Sequence, residues 1–265
     1  MYLKTEEVNL YYEVRGTGKP LLLIHGVVVD GALYQDAAEI LSRYYQVITY
    51  DRRGNSRSVP VYTNVYDIDA QVRDAKALLT HLGLEKVFLV GASAGAIVAQ
   101  EVLKACPEKV EHLLMYEPPL VPLLEEQEEE RQWAANIEDC VARGKFNKAM
   151  LSFMLSLGET DERRVLKPKE VEEREMRNFE HFLQNEFHVF IYYMPDIEYY
   201  RTEAARITVA VGERSGESKY VRAARKFQEL IRAELLHFPG CHNLPCDLPG
   251  DFANCLMGVM ARYGW

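Results

Sequence analysis

Hydrophobic positions in the first half of the chain alternate between two patterns. Short apolar runs occur at residues 9–14 (NLYYEV), 20–25 (PLLLIH), 45–50 (YQVITY), 87–90 and 110–115. Runs of this length, closed by turn residues such as Gly16-Thr17-Gly18, predict strands, and continuous ones predict strands covered on both faces. Between them apolar residues recur at helical spacing. They do so over residues 34–44 (Ala37, Ala38, Ile40, Leu41), 66–82 (Ile68, Val72, Ala75, Leu79) and 94–106. Strands separated by helices predict an α/β fold with a mostly parallel central sheet and helices on both faces.

The alternation breaks at Pro118-Pro119, and residues 120–200 carry helical periodicity without a strand signal. The acidic run at 125–130 reads as a solvated helix face. Strand signals resume at 206–211 (RITVAV), followed by a helix over 218–233, a strand at 234–238 and a last helix from about Asp251. The predicted division is a core of residues 1–119 and 201–265, with 120–200 as a helical insertion.

Composition narrows the class. Of 265 residues, 48% are hydrophobic and 27% charged, a globular balance. No run approaches the roughly 18 apolar residues of a membrane span. A net charge of −9 argues against a surface that grips nucleic acid, which draws on clustered Lys and Arg. Five cysteines, an odd number, do not read as a disulfide framework. With no apolar leader in MYLKTEEVNL, reduced thiols and a cytoplasmic location are expected. Cys241, His242 and Cys246 invite a metal reading, yet no CxxC pair or second ligand cluster accompanies them, so neither metal nor cofactor is expected.

The most informative pentapeptide is Gly91-Ala92-Ser93-Ala94-Gly95, set between a predicted buried strand and a predicted helix. A G-x-S-x-G there forms a tight turn that lifts a serine hydroxyl above the sheet, so Ser93 is the candidate nucleophile. A nucleophilic serine needs a base oriented by an acid. Of seven histidines, His242 follows the last strand and stands at the sheet edge that Ser93 occupies.

The runs Leu22-Leu23-Ile24-His25-Gly26, Tyr50-Asp51-Arg52-Arg53-Gly54-Asn55-Ser56, the Ser93 turn and Pro239-Gly240-Cys241-His242 together resemble the α/β-hydrolase superfamily. The resemblance spans about residue 9 to the C-terminus. It implies a helical cap inserted after the sixth strand and an oxyanion hole from the backbone N–H groups of Val27 and Ala94. In most members the acid is an Asp after the strand that follows the cap; here Ser215 stands at that position. Glu117, at the end of the strand before the cap, is the expected acid instead, with Glu213 and Glu217 as alternatives. Zearalenone lactonases resemble this arrangement, with the acid as a Glu after that strand and a serine nucleophile.

Residues 179–200 hold eight aromatics, where the chain average of 11% gives two or three. They predict a ring-lined apolar pocket, with Val28, Tyr34, Phe187, Phe190 and Tyr193 as expected substrate contacts. Asp51, Arg52 and Arg53 read as a structural loop network. The expected activity is cofactor-independent hydrolysis of a small-molecule ester or lactone through an acyl-enzyme. Carbon–carbon bond hydrolysis or lyase chemistry, and a non-catalytic binding module, are the competing readings.

Overall fold

The structure is a computed structural model that describes residues 1–61, 65–125, 127–157 and 169–265. Among the described residues nine strands form one sheet: β1 (Tyr2–Lys4), β2 (Val8–Arg15), β3 (Lys19–Ile24), β4 (Tyr45–Tyr50), β5 (Val59–Pro60), β6 (Val87–Ala92), β7 (Val110–Tyr116), β8 (Ile207–Gly212) and β9 (Glu234–Phe238). Their order is β1-β2-β4-β3-β6-β7-β8-β9, with β5 beside β2. Every pairing from β4 through β9 is parallel, whereas β2 runs antiparallel to β1, β4 and β5. The short strands β1 and β5, of three and two residues, are too short to leave a sequence pattern.

Burial follows from the parallel connections. β6 and β8 are buried at every position, as their largely apolar runs predict. One face is covered by α1 (Gln35–Leu41) and α10 (Pro249–Arg262), which bring Leu41, Phe252 and Leu256 onto Leu21, Phe88 and Val90. The other face takes α2 (Ile68–His81), α3 (Ala94–Ala105) and α9 (Lys219–Ile231), with Leu78, Val102 and Phe227 inside. Replacing one of these large side chains by Ala typically costs about 2–5 kcal/mol.

Between β7 and β8 the described residues form helices and turns but no strand: α4 (Gln127–Ala142), α5 (Phe146–Ser156), α6 (Lys169–His181), a π-turn at Phe182–Glu186, α7 (Phe187–Ile191) and α8 (Ile197–Thr202). With β1 and β5 counted, this insertion follows the seventh strand. Of the acidic run, Glu128, Glu129 and Glu130 sit in the first turn of α4, where the helix dipole favours them; Glu126 lies outside the described residues. No helix among the described residues is long and apolar enough to cross a membrane.

The sheet order fixes where a site can form. From β3 the chain turns toward β4, and from β6 it turns toward β7 on the other side. The C-terminal ends of the adjacent strands β3 and β6 therefore flank a crevice, the usual ligand position in an open parallel sheet.

Candidate active site

Ser93 follows β6 and caps α3 with φ +53° and ψ −130°, a conformation strained for any residue but Gly. Its neighbours explain the two glycines. A Cβ on Gly91 would lie 2.4 Å from the Gly95 carbonyl oxygen, and one on Gly95 would lie 2.2 Å from that of Ile24. The Ser93 N–H donates to Tyr116 O at 2.9 Å. A serine at a helix start normally caps the helix with its hydroxyl; Ser93 makes no such bond, because its backbone turns the side chain away. Ala94 opens α3, so its N–H has no acceptor within the helix. Gly26 presses against the serine, where a Cβ would stand 3.0 Å from Ser93 Cβ.

Glu117, one residue beyond β7, is fully buried with φ +45°. Its N–H donates to Ala210 O at 2.9 Å, and its Oε1 accepts from the Gly212 N–H at 2.8 Å. Oε2 lies 2.6 Å from His242 Nδ1. A carboxylate only accepts, so Nδ1 carries the proton and Nε2 is left as the basic nitrogen. Burial pushes the Glu117 carboxyl up, but the His242 bond and charge and the Gly212 N–H outweigh it and hold the carboxyl below its usual range. The buried Ser215 hydroxyl also favours the carboxylate, without the geometry of a formed hydrogen bond. Glu213 and Glu217 are exposed, and Glu217 pairs with Arg225 at 2.6 Å. The loop carrying His242 is pinned by the Tyr116 hydroxyl, which donates to Cys241 O at 2.7 Å.

Ser93 and Ala94 open onto a cavity of about 30 Å³ shared with Val27, Pro119, Phe153, Leu157, Phe182, Phe187, Phe190, Ile191 and Tyr220. The Tyr220 ring also lies 5.6 Å from the His242 ring, which sets the imidazole beside this space. Ile191 lines a second cavity as well, of about 190 Å³, with Val121, Pro122, Ala134, Met194, Tyr192, Glu130 and Arg131.

Of the expected substrate contacts, Phe187 and Phe190 line the cavity, and three do not. Tyr34 lies on the opposite face of the sheet, stacked on Phe252, with its hydroxyl donating to Ile24 O at 3.0 Å. Tyr193 points away and donates to Glu101 on α3. Val28, with φ +73°, packs against the core outside the lining. Phe153, Leu157, Ile191 and Tyr220 were not among the expected contacts. Tyr220 alone had a legible position, at the start of the helix after β8.

The charged turn after β4 is a network of buried groups. Asp51 accepts from the Gly31 N–H at 3.0 Å and from Arg57 Nε at 2.7 Å. Arg53 grips Asp74, and Arg52 grips Glu186. The Cys241 thiol is directed at Arg214 O, 3.5 Å away. Among the described residues no group of three or more His, Cys, Asp or Glu is gathered as a metal site would need.

The chain resembles known proteins throughout this architecture. Residues 19–152 match the family described as alpha/beta hydrolase fold. An uncharacterized hydrolase of Bacillus subtilis is 30% identical over 245 residues, covering 91% of this chain and 88% of that protein. Among solved structures, a carboxylesterase of the thaumarchaeon Nitrososphaera gargenis superposes with a TM-score of 0.71 at 22% identity, over 100% of this chain and 98% of that one. A thermophilic esterase from Thermogutta terrifontis gives 0.72 at 21% identity, over 97% and 94%. At such identities the two structures speak for the fold. The sheet order, the Ser93 turn and the family match together establish that this chain is a hydrolase belonging to the α/β-hydrolase fold family.

Proposed function

We propose that the protein is a cofactor-independent serine hydrolase of carboxylic esters, cyclic esters included. The observation that carries this reading is the 2.6 Å bond between Glu117 and His242, at the sheet edge that holds the strained Ser93 turn. The esterase and carboxylesterase among the similar structures agree with it.

In this reading Ser93 Oγ attacks the ester carbonyl carbon and its proton passes to His242 Nε2. The carbonyl oxygen becomes an oxyanion stabilised by the N–H groups of Ala94 and Val27, an interaction for which one donor is typically worth about 3–4 kcal/mol. The tetrahedral centre collapses, the carbon–oxygen bond to the alcohol breaks, and His242 returns its proton to the leaving oxygen. Water then attacks the acyl-serine, giving one proton to His242, which passes it to Ser93 Oγ as the carboxylic acid departs. Glu117 holds the imidazole in the required tautomer and offsets its positive charge.

The cavity limits the acyl group. The space beside Ser93 is small, about 30 Å³, and its lining is mostly apolar. Short acyl esters are therefore the expected substrates, with apolar rings excluding water around the reacting carbonyl.

The test is a panel of aryl and alkyl esters and lactones with wild type and Ser93→Ala, alongside a fluorophosphonate probe. Wild type should hydrolyse short esters and take the label at Ser93. Ser93→Ala should lose the label and several decades of turnover. Turnover that persists in clean Ser93→Ala protein would overturn the nucleophile assignment.

A further inference from the structure

Two consecutive arginines follow β4, and both are fully buried. Arg53 binds Asp74 of α2 through Nε and Nη2, each at 2.7 Å, and stays within the core. Arg52 joins the core to the insertion. Its Nη1 and Nη2 donate to the two carboxylate oxygens of Glu186, at 2.7 and 3.1 Å, with neither side chain exposed. Gln71 completes the cluster, accepting from Arg52 Nη1 at 2.5 Å and donating to Glu186 Oε1 at 3.2 Å. The guanidinium also lies 5.3 Å from the ring of Phe190, a wall of the cavity beside Ser93.

On its other side Arg52 holds the strand end before Val27. Nε donates to His25 O and Nη2 to Gly26 O, each at 3.1 Å. The Arg52 main-chain N–H donates to His25 Nε2 at 2.9 Å. His25 Nδ1 therefore carries the proton and donates to Gly26 O at 2.7 Å. Burial, then the Arg52 charge, lower the His25 pKa to about 3, which keeps the ring in this neutral form.

The Gly26 carbonyl and the Val27 N–H belong to one peptide group. That group is planar and trans, so fixing the direction of its oxygen fixes the direction of its hydrogen. We infer that the Arg52–Glu186 pair is a positioning device for the Val27 N–H: the insertion, through Glu186, holds the guanidinium that aims this amide at the reacting oxygen. The inference rests on the ester-hydrolase reading above, in which that amide is a donor to the oxyanion.

Stability alone does not account for the pair. Burying two charges carries a desolvation cost, and apolar replacements of similar size are often as stable. Arg52 instead supplies two donors to carbonyls of the β3 end, and Glu186 fixes the plane of the fork.

The experiment compares wild type, Glu186→Gln and the double variant Arg52→Met/Glu186→Met, which leaves no charge unpaired. It measures kcat and KM on a short ester, the rate of fluorophosphonate labelling and Tm. Folded Glu186→Gln should lose about 10- to 100-fold in kcat, a part of the 10²–10³ expected for losing an oxyanion donor outright. KM should stay within about threefold, and the labelling rate should fall in parallel, because phosphonylation draws on the same donors. Unchanged kcat in a folded variant, or a loss confined to KM, overturns the positioning role. If Glu186→Gln does not fold, the double variant carries the same measurement; if neither folds, the pair serves the fold and the positioning role falls. Wild type that neither hydrolyses esters nor takes the label overturns the ester-hydrolase reading itself, whereas an active wild type with unaffected variants overturns the positioning role alone.

Discussion

The two sides of the cavity beside Ser93 are made of different chemistry. The core contributes Ser93, Ala94, Val27, Pro119 and Tyr220, with the Glu117–His242 pair adjoining. The insertion contributes Phe153, Leu157, Phe182, Phe187, Phe190 and Ile191, all apolar. The core side is also where two non-glycine residues, Ser93 and the adjoining Glu117, hold positive φ. Such strain persists only where surrounding bonds over-determine it, and here strand ends and their main-chain bonds do so. The difference separates two kinds of control. Changes on the core side should act on the chemical step by decades, and changes on the insertion side should act on which acyl group fits.

Glu117→Gln tests the core side most severely. It keeps the shape but cannot stabilise an imidazolium, and in a serine triad the comparable Asp→Asn change lowers kcat about 10⁴-fold. Two to four decades in kcat are expected, while Glu217→Gln, exposed and paired with Arg225, should cost less than about one decade. A small loss in Glu117→Gln with a large one in Glu217→Gln would reverse the assignment of the acid.

Gly95→Ala comes next. Its Cβ would fall 2.2 Å from Ile24 O and 2.5 Å from His25 O, both main-chain atoms, so α3 must move away from β3. Destabilisation of about 1–3 kcal/mol, the usual cost of overpacking, should appear as a lowered denaturant midpoint together with reduced kcat. Wild-type stability and activity in this variant would show that the turn tolerates far more slack than the contacts imply.

Ile191→Ala addresses the insertion side. Ile191 stands between the cavity of about 30 Å³ and the one of about 190 Å³. Removing its side chain should join them and raise kcat/KM for octanoyl over acetyl esters by about tenfold, with acetyl kcat little changed. An equal loss for both chain lengths would place Ile191 with the core-side residues instead.

The smallest effect on activity belongs to His112, in β7 away from the site, where it stacks on Phe88 and Tyr263 and its Nε2 meets Thr208 Oγ1 at 2.9 Å. Burial, then the charges of Arg206 and Arg262, lower its pKa to about 4. The unfolded chain therefore takes up this proton more readily, and stability falls as pH drops from about 6.5 toward 4. His112→Phe should leave kcat unchanged at neutral pH. By pH 4.5 it should remove about 2–3 kcal/mol of this acid-dependent loss, read as a shallower fall of stability between pH 7 and 4.5. A pH dependence equal to that of wild type would sink the assignment.

Much of the core side was legible because local rules act there. The strand–turn–helix context picked out Ser93, chain order picked out His242, and the end of an apolar strand picked out Glu117. The insertion side was less legible. An excess of aromatics predicted a ring-lined space, but which rings face it depends on how each helix is rotated. Tyr193 and Phe190 are three residues apart, yet one bonds to α3 and the other lines the cavity. Arg52 and Glu186 lie 134 positions apart, and neither bears a local mark of the other. The place of Tyr34 on the far face of the sheet does not show in the sequence, because a helical-looking run does not reveal which face it will cover.

The π-turn at Phe182–Glu186, where the Phe187 N–H reaches back five residues to Phe182 O, holds one residue more than an α-helical turn would. Were the same residues wound as an ordinary α-helix instead, everything after the turn would be rotated by about 100°. Phe187, Phe190 and Ile191 would leave the cavity together, and Glu186 would leave Arg52, with no change to the core. One extra residue thus acts as a register setting for three of the six insertion residues at the cavity, Phe187, Phe190 and Ile191. In a lineage of such hydrolases, specificity would be free to change abruptly through the winding of this turn, where substitutions elsewhere in the insertion change it by degrees.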